Sequence, residues 1–290
     1  FIAPDALSLQ LPSADLVLVD EAAAIPQQLL ASAIAHYDKL VFATTIHGYE
    51  GSGRGFEYKL KPQLKQSFPD FSSVTMTEPV RFGRNDRLEP LVNRMLALDV
   101  ELKTLGELTS NDAMAETTFH VYDPVDMTEQ NDELEQLFAL MVNAHYRTSP
   151  NDFRSMLDGP NIRLVALKQD EQLLAAAMIA FEGELPAELC ELIWQGRRRP
   201  RGHLFPQSLM AHAGFKQAGQ LSYGRVVRIA VRAECQGNGL GSALLGQIED
   251  YLRGLNVQLI CTSFGAAPSL LRFWRNNGFR FARLGLKAEA

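Results

Sequence analysis

The sequence is poor in cysteine and has no long apolar run. Its three cysteines, Cys190, Cys235 and Cys261, are scattered along 290 residues. They form neither a disulfide framework nor a metal-ligand spacing, which favours a reducing, cytoplasmic compartment. No apolar run approaches the roughly 20 residues of a membrane-spanning helix, so we expect no membrane partner.

Positive charge is also scarce. The chain has 28 Lys and Arg residues against 34 Asp and Glu residues, which gives a net charge of −6 at pH 7. A surface of this overall sign does not favour nucleic acid. Any binding of nucleic acid therefore requires a local basic patch.

The first part of the chain alternates strands and a helix. Residues 16–19, 25–36 and 39–44 predict a strand, a helix and a second strand. This order indicates a parallel sheet, in which sites form at the carboxyl ends of the strands. The length leaves room for about two domains, and a polar stretch ends the first part. We predict domains at 1–115 and 116–290.

Two carboxylates, Asp20 and Glu21, follow the first strand in the segment LVLVDEAAAIP. In P-loop ATPases an Asp in this place holds Mg²⁺, and a following Glu can orient the attacking water. Thr44 and Thr45 end the second strand, where helicase-like ATPases carry polar residues. We predict part of an ATP site here, with Asp20 and Glu21 as catalytic residues, Asp20 as metal ligand and Thr45 beside them. The alternative is a chance acidic pair at a helix start, where carboxylates are favoured.

The part of such a site that grips phosphates is missing. A phosphate loop reads G-x-x-x-x-G-K-[ST], and these 290 residues contain no Gly-Lys pair. A glycine-rich segment at 47–56 carries Arg54, and the segment TEPVRF carries Arg81. Both arginines are candidates for contact with a γ-phosphate, so the sequence predicts an incomplete nucleotide site.

A second phosphate signal lies in RVVRIAVRAECQGNGLGSALLGQIEDYL, at 225–252. An apolar strand leads into the glycine-rich segment 236–241, and the helix after it has an apolar face. Glycines let a backbone approach a ligand closely, and a helix N-terminus favours an anion. The segment predicts a pyrophosphate site. The alternative is a tight turn whose glycines serve packing.

The second part of the chain mixes strands with helices. From periodicity and turn residues we predict its elements along the chain. They are a helix at 131–147, a hairpin at 161–168 and 173–182, an irregular stretch at 186–220, a strand at 224–231, a helix at 237–252, a strand at 257–262, a helix at 269–277 and a strand at 279–284.

The order Gln-x-x-Gly-x-Gly, between a strand and a long helix, resembles the acyl-coenzyme A motif of the GNAT acetyltransferases, and LLRFWRNNGF resembles their second cofactor motif. This resemblance covers about 118–290 and implies a mixed sheet that binds acetyl-CoA. It places the pyrophosphate on 236–241 and pairs the pantetheine arm with the edge of 229–231. The implied cofactor residues are Ile229, Ala230, Val231, Gln236, Gly237, Asn238, Gly239, Leu240, Gly241, Ser242, Arg272 and Phe273.

The resemblance also implies catalytic roles. The N–H of Val231 would polarise the acetyl carbonyl. Many GNAT enzymes carry a Tyr acid after the Phe of the second motif, but Phe273 is followed here by Trp274, whose indole cannot act as an acid. The leaving thiolate must therefore be protonated by another group or by water. Glu182 lies where some GNAT enzymes keep a base, although we expect an exposed strand-end carboxylate.

The combination of motifs is more specific than either half. DEAAAIP, ATTIHGYEGSGRGF, EPVRF and QGNGLGSALL, in this order, resemble the tRNA(Met) cytidine acetyltransferase family over nearly the whole chain. The resemblance implies an α/β protein, with a partial P-loop, helicase-like parallel-sheet domain followed by a GNAT mixed-sheet domain. It implies acetylation of the wobble cytidine of elongator methionine tRNA, with acetyl-CoA, and with ATP and Mg²⁺ in the full-length enzyme. The chain would then be a fragment without the phosphate loop and the C-terminal tail.

One basic segment, QGRRRPRGH, is a candidate for contact with the RNA. Its arginines would bind phosphates near the acetyl site, and the alternative is a solvated loop. The candidates are Arg197, Arg198, Arg199 and Arg201.

Two other functions remain open. The chain could belong to a GNAT enzyme that acetylates a protein amine, and RNA dependence of acetyl transfer separates this function from the first. It could also be a nucleic-acid-binding helicase-like module with an inert GNAT scaffold, which failure to bind acetyl-CoA would favour.

We predict that this 290-residue chain does not hydrolyse ATP, because it has no phosphate-gripping Gly-Lys pair. Phosphate release measured with and without RNA checks the prediction. Turnover by the parent chain that Asp20→Asn abolished would contradict it.

Overall fold

The computed structural model describes residues 1–45, 60–78, 83, 86–98, 100–106, 116–123, 131–143 and 150–285. The chain divides into two compact units. The first consists mainly of Phe1–Glu101, and the second of Leu102–Ala144 and Arg154–Glu289. The domain boundary at 115/116 stays a prediction, since residues 107–115 lie outside the described part.

The first unit contains the predicted strand–helix–strand. Strands β1 (Val17–Val19) and β2 (Leu40–Phe42) pair in parallel, with Val17 opposite Leu40. Both strands are shorter than predicted, and a single 3-10 turn, Ala22–Ala24, separates β1 from the helix. The helices of this unit are α1 (Pro4–Gln10), α2 (Gln27–His36), α3 (Lys61–Ser67) and α4 (Leu88–Met95). Its small core is formed by Val19, Ala22, Leu30, Leu60 and Leu64.

The second unit is built on a five-stranded sheet with the order β3-β4-β5-β6-β7. Neighbouring strands are antiparallel except for the last pair, β6 and β7, which is parallel. The strands are β3 (Thr118–Tyr122), β4 (Ile162–Gln169), β5 (Gln172–Gly183), β6 (Ser222–Val231) and β7 (Leu259–Thr262). The helices are α5 (Asn131–Asn143), α7 (Ala187–Trp194), α8 (Leu204–Ala213), α9 (Leu240–Gly254) and α10 (Pro268–Asn276), together with the part of α6 (Pro150–Asp158) that begins at Arg154.

Helix α9 closes the main core against the sheet. Its predicted apolar face is confirmed, because Leu240, Leu244, Leu245, Ile248 and Leu252 are all buried. Each fully buried Leu or Ile side chain contributes roughly 1.5–3 kcal/mol through the area it removes from water. At 15 residues α9 is the longest helix of the described chain, and no helix there has the length and apolarity to cross a membrane.

Two predicted stretches are wrong. Residues 186–220, predicted as irregular, contain α7 and α8. These short helices pack into a separate apolar cluster that includes Cys190, Ile193 and Met210, and this tertiary packing outweighs the local Gly, Pro and Arg content. Residues 279–284, predicted as a strand, pair with no strand of the described chain. Their composition favours a strand, but a strand is stable only when it pairs with a neighbouring one.

We predict that Ile248→Ala lowers the free energy of unfolding of the second unit by about 2–5 kcal/mol, because Ile248 is fully buried on α9. Its exposed neighbour provides the control, since Gln247→Ala should change stability by less than about 0.5 kcal/mol. Denaturant unfolding followed by tryptophan fluorescence measures the second unit alone, because Trp194 and Trp274 both belong to it. Equal stability of the two variants would contradict the packing of α9.

Candidate functional site

Strand β6 is paired along only part of its second edge. It pairs with β5 as far as Val231, but with β7 only over residues 223–226. The last pair is fixed by the hydroxyl of Thr262, which donates to the carbonyl of Val226 (3.0 Å). A bulge follows, because Ile179 and Met178 of β5 pair with Val226 and Arg228 and leave Val227 as the extra residue. The structure thus places the predicted edge, 229–231, beyond the point where β6 and β7 separate.

The glycine-rich segment after β6 has a backbone that other residues would strain. Gly237 and Gly239 have φ values of 86° and 81°, a region that residues with a Cβ rarely adopt. The side-chain amide of Gln236 donates to the carbonyl of Val231 (3.0 Å) and ties the segment to the end of β6. The turn is therefore a defined structure at the open end of the strand.

Helix α9 begins at this turn with free donors. Its first hydrogen bond runs from the N–H of Ala243 to the carbonyl of Gly239 (2.9 Å). The N–H groups of residues 240–242 therefore have no acceptor within the helix and point out of its positive end. Such an end attracts a phosphate-type anion.

The predicted cofactor residues divide into exposed side chains and buried ones. Gln236, Asn238 and Ser242 are exposed, and Arg272 is exposed on α10. Ala230 and Leu240 are buried in the core. Only their main-chain groups can therefore contact a ligand, whereas the side chains of Asn238, Ser242 and Arg272 are exposed to one.

Helix α10 packs closely against the start of α9. A Cβ on Gly241 would lie 3.2 Å from the ring of Phe273, so a glycine permits this approach. The next residue, Trp274, is 5% exposed and packs between Phe264 and Phe279, with ring centroids at 5.9 and 4.7 Å. The residue that replaces the Tyr acid is therefore a core residue.

The carboxylates of the first unit lie at the carboxyl end of the β1–β2 pair. Asp20 and Glu21 are exposed, and the side chain of Asp20 accepts the N–H of Glu21 (3.0 Å). Glu21 has a φ of 47°, unusual for a residue with a side chain. Across the strands, the hydroxyl of Thr44 accepts the N–H of Ala23 (3.2 Å), which fixes this turn to the end of β2.

The structure assembles only part of the predicted nucleotide site. Thr45 follows Thr44 at the same edge and is exposed, whereas Arg54 and Arg81 lie outside the described residues. Among the residues that are described, no group of three or more His, Cys, Asp or Glu side chains is placed to hold a metal ion. Asp20 as metal ligand thus stays a prediction, consistent with the one or two protein carboxylates that Mg²⁺ usually takes beside phosphate and water.

The arginines of the basic segment lie between α7 and α8. Arg197, Arg198, Arg199 and Arg201 are exposed. The turn is shaped by main-chain bonds from the N–H groups of Arg197 and Arg198 to the carbonyl of Leu192 (2.8 and 3.2 Å). The guanidinium groups remain available to solvent or to an anion.

Glu182 is a feature that the sequence did not reveal. It was expected to be exposed, which is wrong, because it is 4% exposed and its carboxylate accepts the Arg225 guanidinium (2.6 Å) and the N–H of Phe205 (2.9 Å). The ring Nδ1 of His203 accepts the N–H of Gly183 (2.9 Å) beside it. Burial, with the nearby Glu182 carboxylate, also raises the pKa of the Cys261 thiol well above its usual value. These contacts join β5, β6 and α8, and long-range pairs of this kind leave no sequence signal.

We predict that Glu182→Ala lowers the free energy of unfolding of the second unit by about 3–5 kcal/mol, because it leaves the Arg225 cation unpaired. The exposed Glu188 is the control, and Glu188→Ala should cost less than about 1 kcal/mol. Glu182→Leu combined with Arg225→Met should lose less than Glu182→Ala alone. A single-variant loss as small as the control's would show that the pair is not held as described.

Comparison with known proteins gives matches for both parts of the chain. Residues 1–99 match the family model of the helicase domain of RNA cytidine acetyltransferase NAT10/TcmA, and residues 136–259 match that of GNAT acetyltransferase 2. Among solved structures, an aminoglycoside acetyltransferase from an uncultured soil metagenomic sample is 8% identical, covers 60% of this chain and 96% of its own, and has a TM-score of 0.39.

The curated relatives cover the chain from end to end. The tRNA(Met) cytidine acetyltransferase TmcA of Vibrio cholerae is 39% identical over 98% of this chain and 39% of its own length. The protein of the same name from Nitrosococcus halophilus is 40% identical over 100% of this chain and 39% of its own. The chain thus spans about two fifths of the length of these relatives. Over its length the chain is similar to these tRNA(Met) cytidine acetyltransferases, and its two parts match the models of a helicase domain and of a GNAT acetyltransferase.

Proposed function

We propose that the chain is part of an enzyme that transfers an acetyl group from acetyl-CoA to the exocyclic amine of the wobble cytidine in elongator methionine tRNA. The opening between β6 and β7, ended by the glycine turn and the start of α9, carries this proposal. In the full-length enzyme the transfer is coupled to ATP hydrolysis. Residues 1–115 would form the ATPase part and residues 116–290 the acetyltransferase part.

The residues present fit acetyl-CoA. Its pyrophosphate requires close donors without a Cβ in the way, and the positive-φ glycines 237 and 239 with the free N–H groups of 240–242 meet that requirement. Its pantetheine arm requires an open strand edge, which 229–231 offer. The exposed Gln236, Asn238 and Ser242 would contact it from the turn, and Arg272 and Phe273 from α10. When bound, acetyl-CoA supplies an activated acetyl thioester.

The protein's own contribution is positioning and polarisation. A cytosine amine is conjugated with its ring and is a weak nucleophile, so it must be held in attack geometry. The base must also leave any stack before it can enter the site. The N–H of Val231 is the proposed donor to the acyl carbonyl. With Trp274 buried, the proton for the leaving thiolate comes from a group other than the indole, or from water.

The first unit would serve the RNA step. In this proposal Asp20 holds Mg²⁺, Glu21 orients the attacking water, and Thr45, Arg54 and Arg81 contact the nucleotide. Asp20 and Thr44 lie at the same edge of the parallel pair β1–β2, and this placement supports that arrangement. Remodelling of the RNA driven by ATP would expose the wobble base. Arg197, Arg198, Arg199 and Arg201 would bind phosphates of the same RNA.

We predict that the chain binds acetyl-CoA and that Gly239→Val weakens the binding at least about tenfold, a loss of roughly 1.4 kcal/mol, because valine strains a φ of 81° and fills the turn. Isothermal calorimetry measures both. Gly246→Ala, in open space on α9, is the matched control and should leave the affinity unchanged.

Binding and acetylation by the parent chain distinguish the proposed function from its alternatives. No binding by a folded parent chain would contradict the acetyl-CoA site. Binding without acetylation of tRNA, but with acetylation of a protein amine, would favour the protein-directed activity instead.

A further inference from the structure

Charge is distributed very unevenly along the chain. Residues 192–290 contain 14 of the 28 Lys and Arg residues but only 4 of the 34 Asp and Glu residues. Their formal net charge is therefore +10, whereas that of residues 1–191 is −16. Arginine accounts for 12 of the 14 cations in the basic part. Arginine suits phosphate better than lysine does, because its planar fork binds two oxygens and stacks on bases.

The fold gathers two stretches of this basic part around one cleft. The stretches are 192–233 and 254–285, and neither contains an Asp or a Glu. They meet where the guanidinium of Arg283 donates to the hydroxyl of Ser208 on α8 (2.7 Å). The cleft between them, about 2420 Å³, is lined by Arg199, Arg275, Arg280 and Arg283 together with other residues of α8, α9, β7 and α10. We call it the basic cleft.

Five of the described arginines line the basic cleft, and the four named above, all except Arg253, are not neutralised from within it. All four are exposed, and none of them forms an ion pair with any described residue. The one carboxylate in the described lining, Glu249, already pairs with Arg253 (2.6 Å). Uncompensated cations that share a concave surface focus a positive field on any polyanion that enters it.

The basic cleft also offers aromatic surface. Phe281 is 74% exposed, and Phe264, also in the lining, is 36% exposed. Exposed rings beside arginines bind unpaired bases by stacking, whereas bases inside a duplex are already stacked. This combination distinguishes a single-stranded nucleic acid from an acidic protein.

We infer that the basic cleft binds the unpaired nucleotides of the RNA substrate, with Arg275, Arg280 and Arg283 on phosphates and Phe281 on a base. The inference rests on the proposed function for the identity of the RNA. It extends the RNA surface from the α7–α8 segment, through Arg199, to the chain that follows α10.

The test measures binding by the fluorescence anisotropy of a labelled RNA stem–loop. This RNA carries the anticodon loop of elongator methionine tRNA. The triple variant Arg275→Gln, Arg280→Gln, Arg283→Gln should bind it at least about tenfold more weakly at roughly 150 mM salt. Its plot of log affinity against log salt should be shallower by about 2, since each phosphate contact with a single strand contributes roughly 0.7.

A charge-matched triple variant provides the control. Lys103→Gln, Arg154→Gln, Lys216→Gln removes the same charge, but each of these cations lies outside the lining of the cleft and already has a carboxylate partner. It should keep the affinity and the salt slope of the parent chain. An equal loss in both triples, or no loss in the cleft triple, would overturn the inference.

Phe281→Ala separates stacking from charge. Because the ring is largely exposed, its removal should leave the fold intact, as tryptophan fluorescence can check. It should weaken binding of the stem–loop about tenfold with an unchanged salt slope, and should not affect a fully paired RNA duplex. Equal effects on loop and duplex would contradict the stacking role.

Acetyl-CoA calorimetry on the same variants tests whether the arginines bind cofactor phosphates instead of RNA. Loss of acetyl-CoA binding with intact RNA binding would assign them to the cofactor and overturn the inference. A parent chain that binds acetyl-CoA but not the stem–loop would refute the basic cleft and leave the cofactor site standing. One that binds the stem–loop as expected but not acetyl-CoA would refute the proposed function and leave the cleft.

Discussion

The separation of β6 from β7 after Val226 is the constraint on which the second unit depends. Main-chain groups inside a fold must find hydrogen-bond partners, so an interrupted strand pair requires compensation. Here β5 holds β6 along its whole length, and the bulge at Val227 turns the strand where β7 ends. The apolar core between α9 and the sheet holds the strands together. A strand edge can thus stay open without opening the fold.

The glycine turn follows from the same constraint. Residues 232–239 lead from the end of β6 into α9, whose first N–H groups have no acceptor within the helix. Gln236 holds the turn against Val231, and Gly241 lets α10 approach the first turn of α9. Strand edge, turn and second helix are therefore one structural unit, and a change in any of them alters the shape of the opening.

Local periodicity explains why some features were predictable from the sequence. The apolar face of α9 repeats with the helical period, so it was predicted correctly. The glycine segment was placed between a strand and this helix, but the helix begins at Leu240 and not at residue 237 as predicted. Helices α7 and α8 were missed, because their stability comes from the cluster around Met210 and not from their own propensity. Glu182 was misjudged since Arg225, its partner, is 43 residues away in the sequence. The prediction of a strand at 279–284 was wrong because amino-acid composition indicates a tendency to form a strand but does not identify the strand with which it would pair.

The burial of the cysteines has a chemical consequence for the folded chain. All three thiols are buried in the second unit, and burial raises the pKa of each one. The thiolate is the form that reacts with oxidants, so the native fold keeps all three in their inert state. Oxidation of any of them then requires the sheet or its helices to open first. An oxidised thiol in a folded molecule would therefore mark a past opening of that molecule.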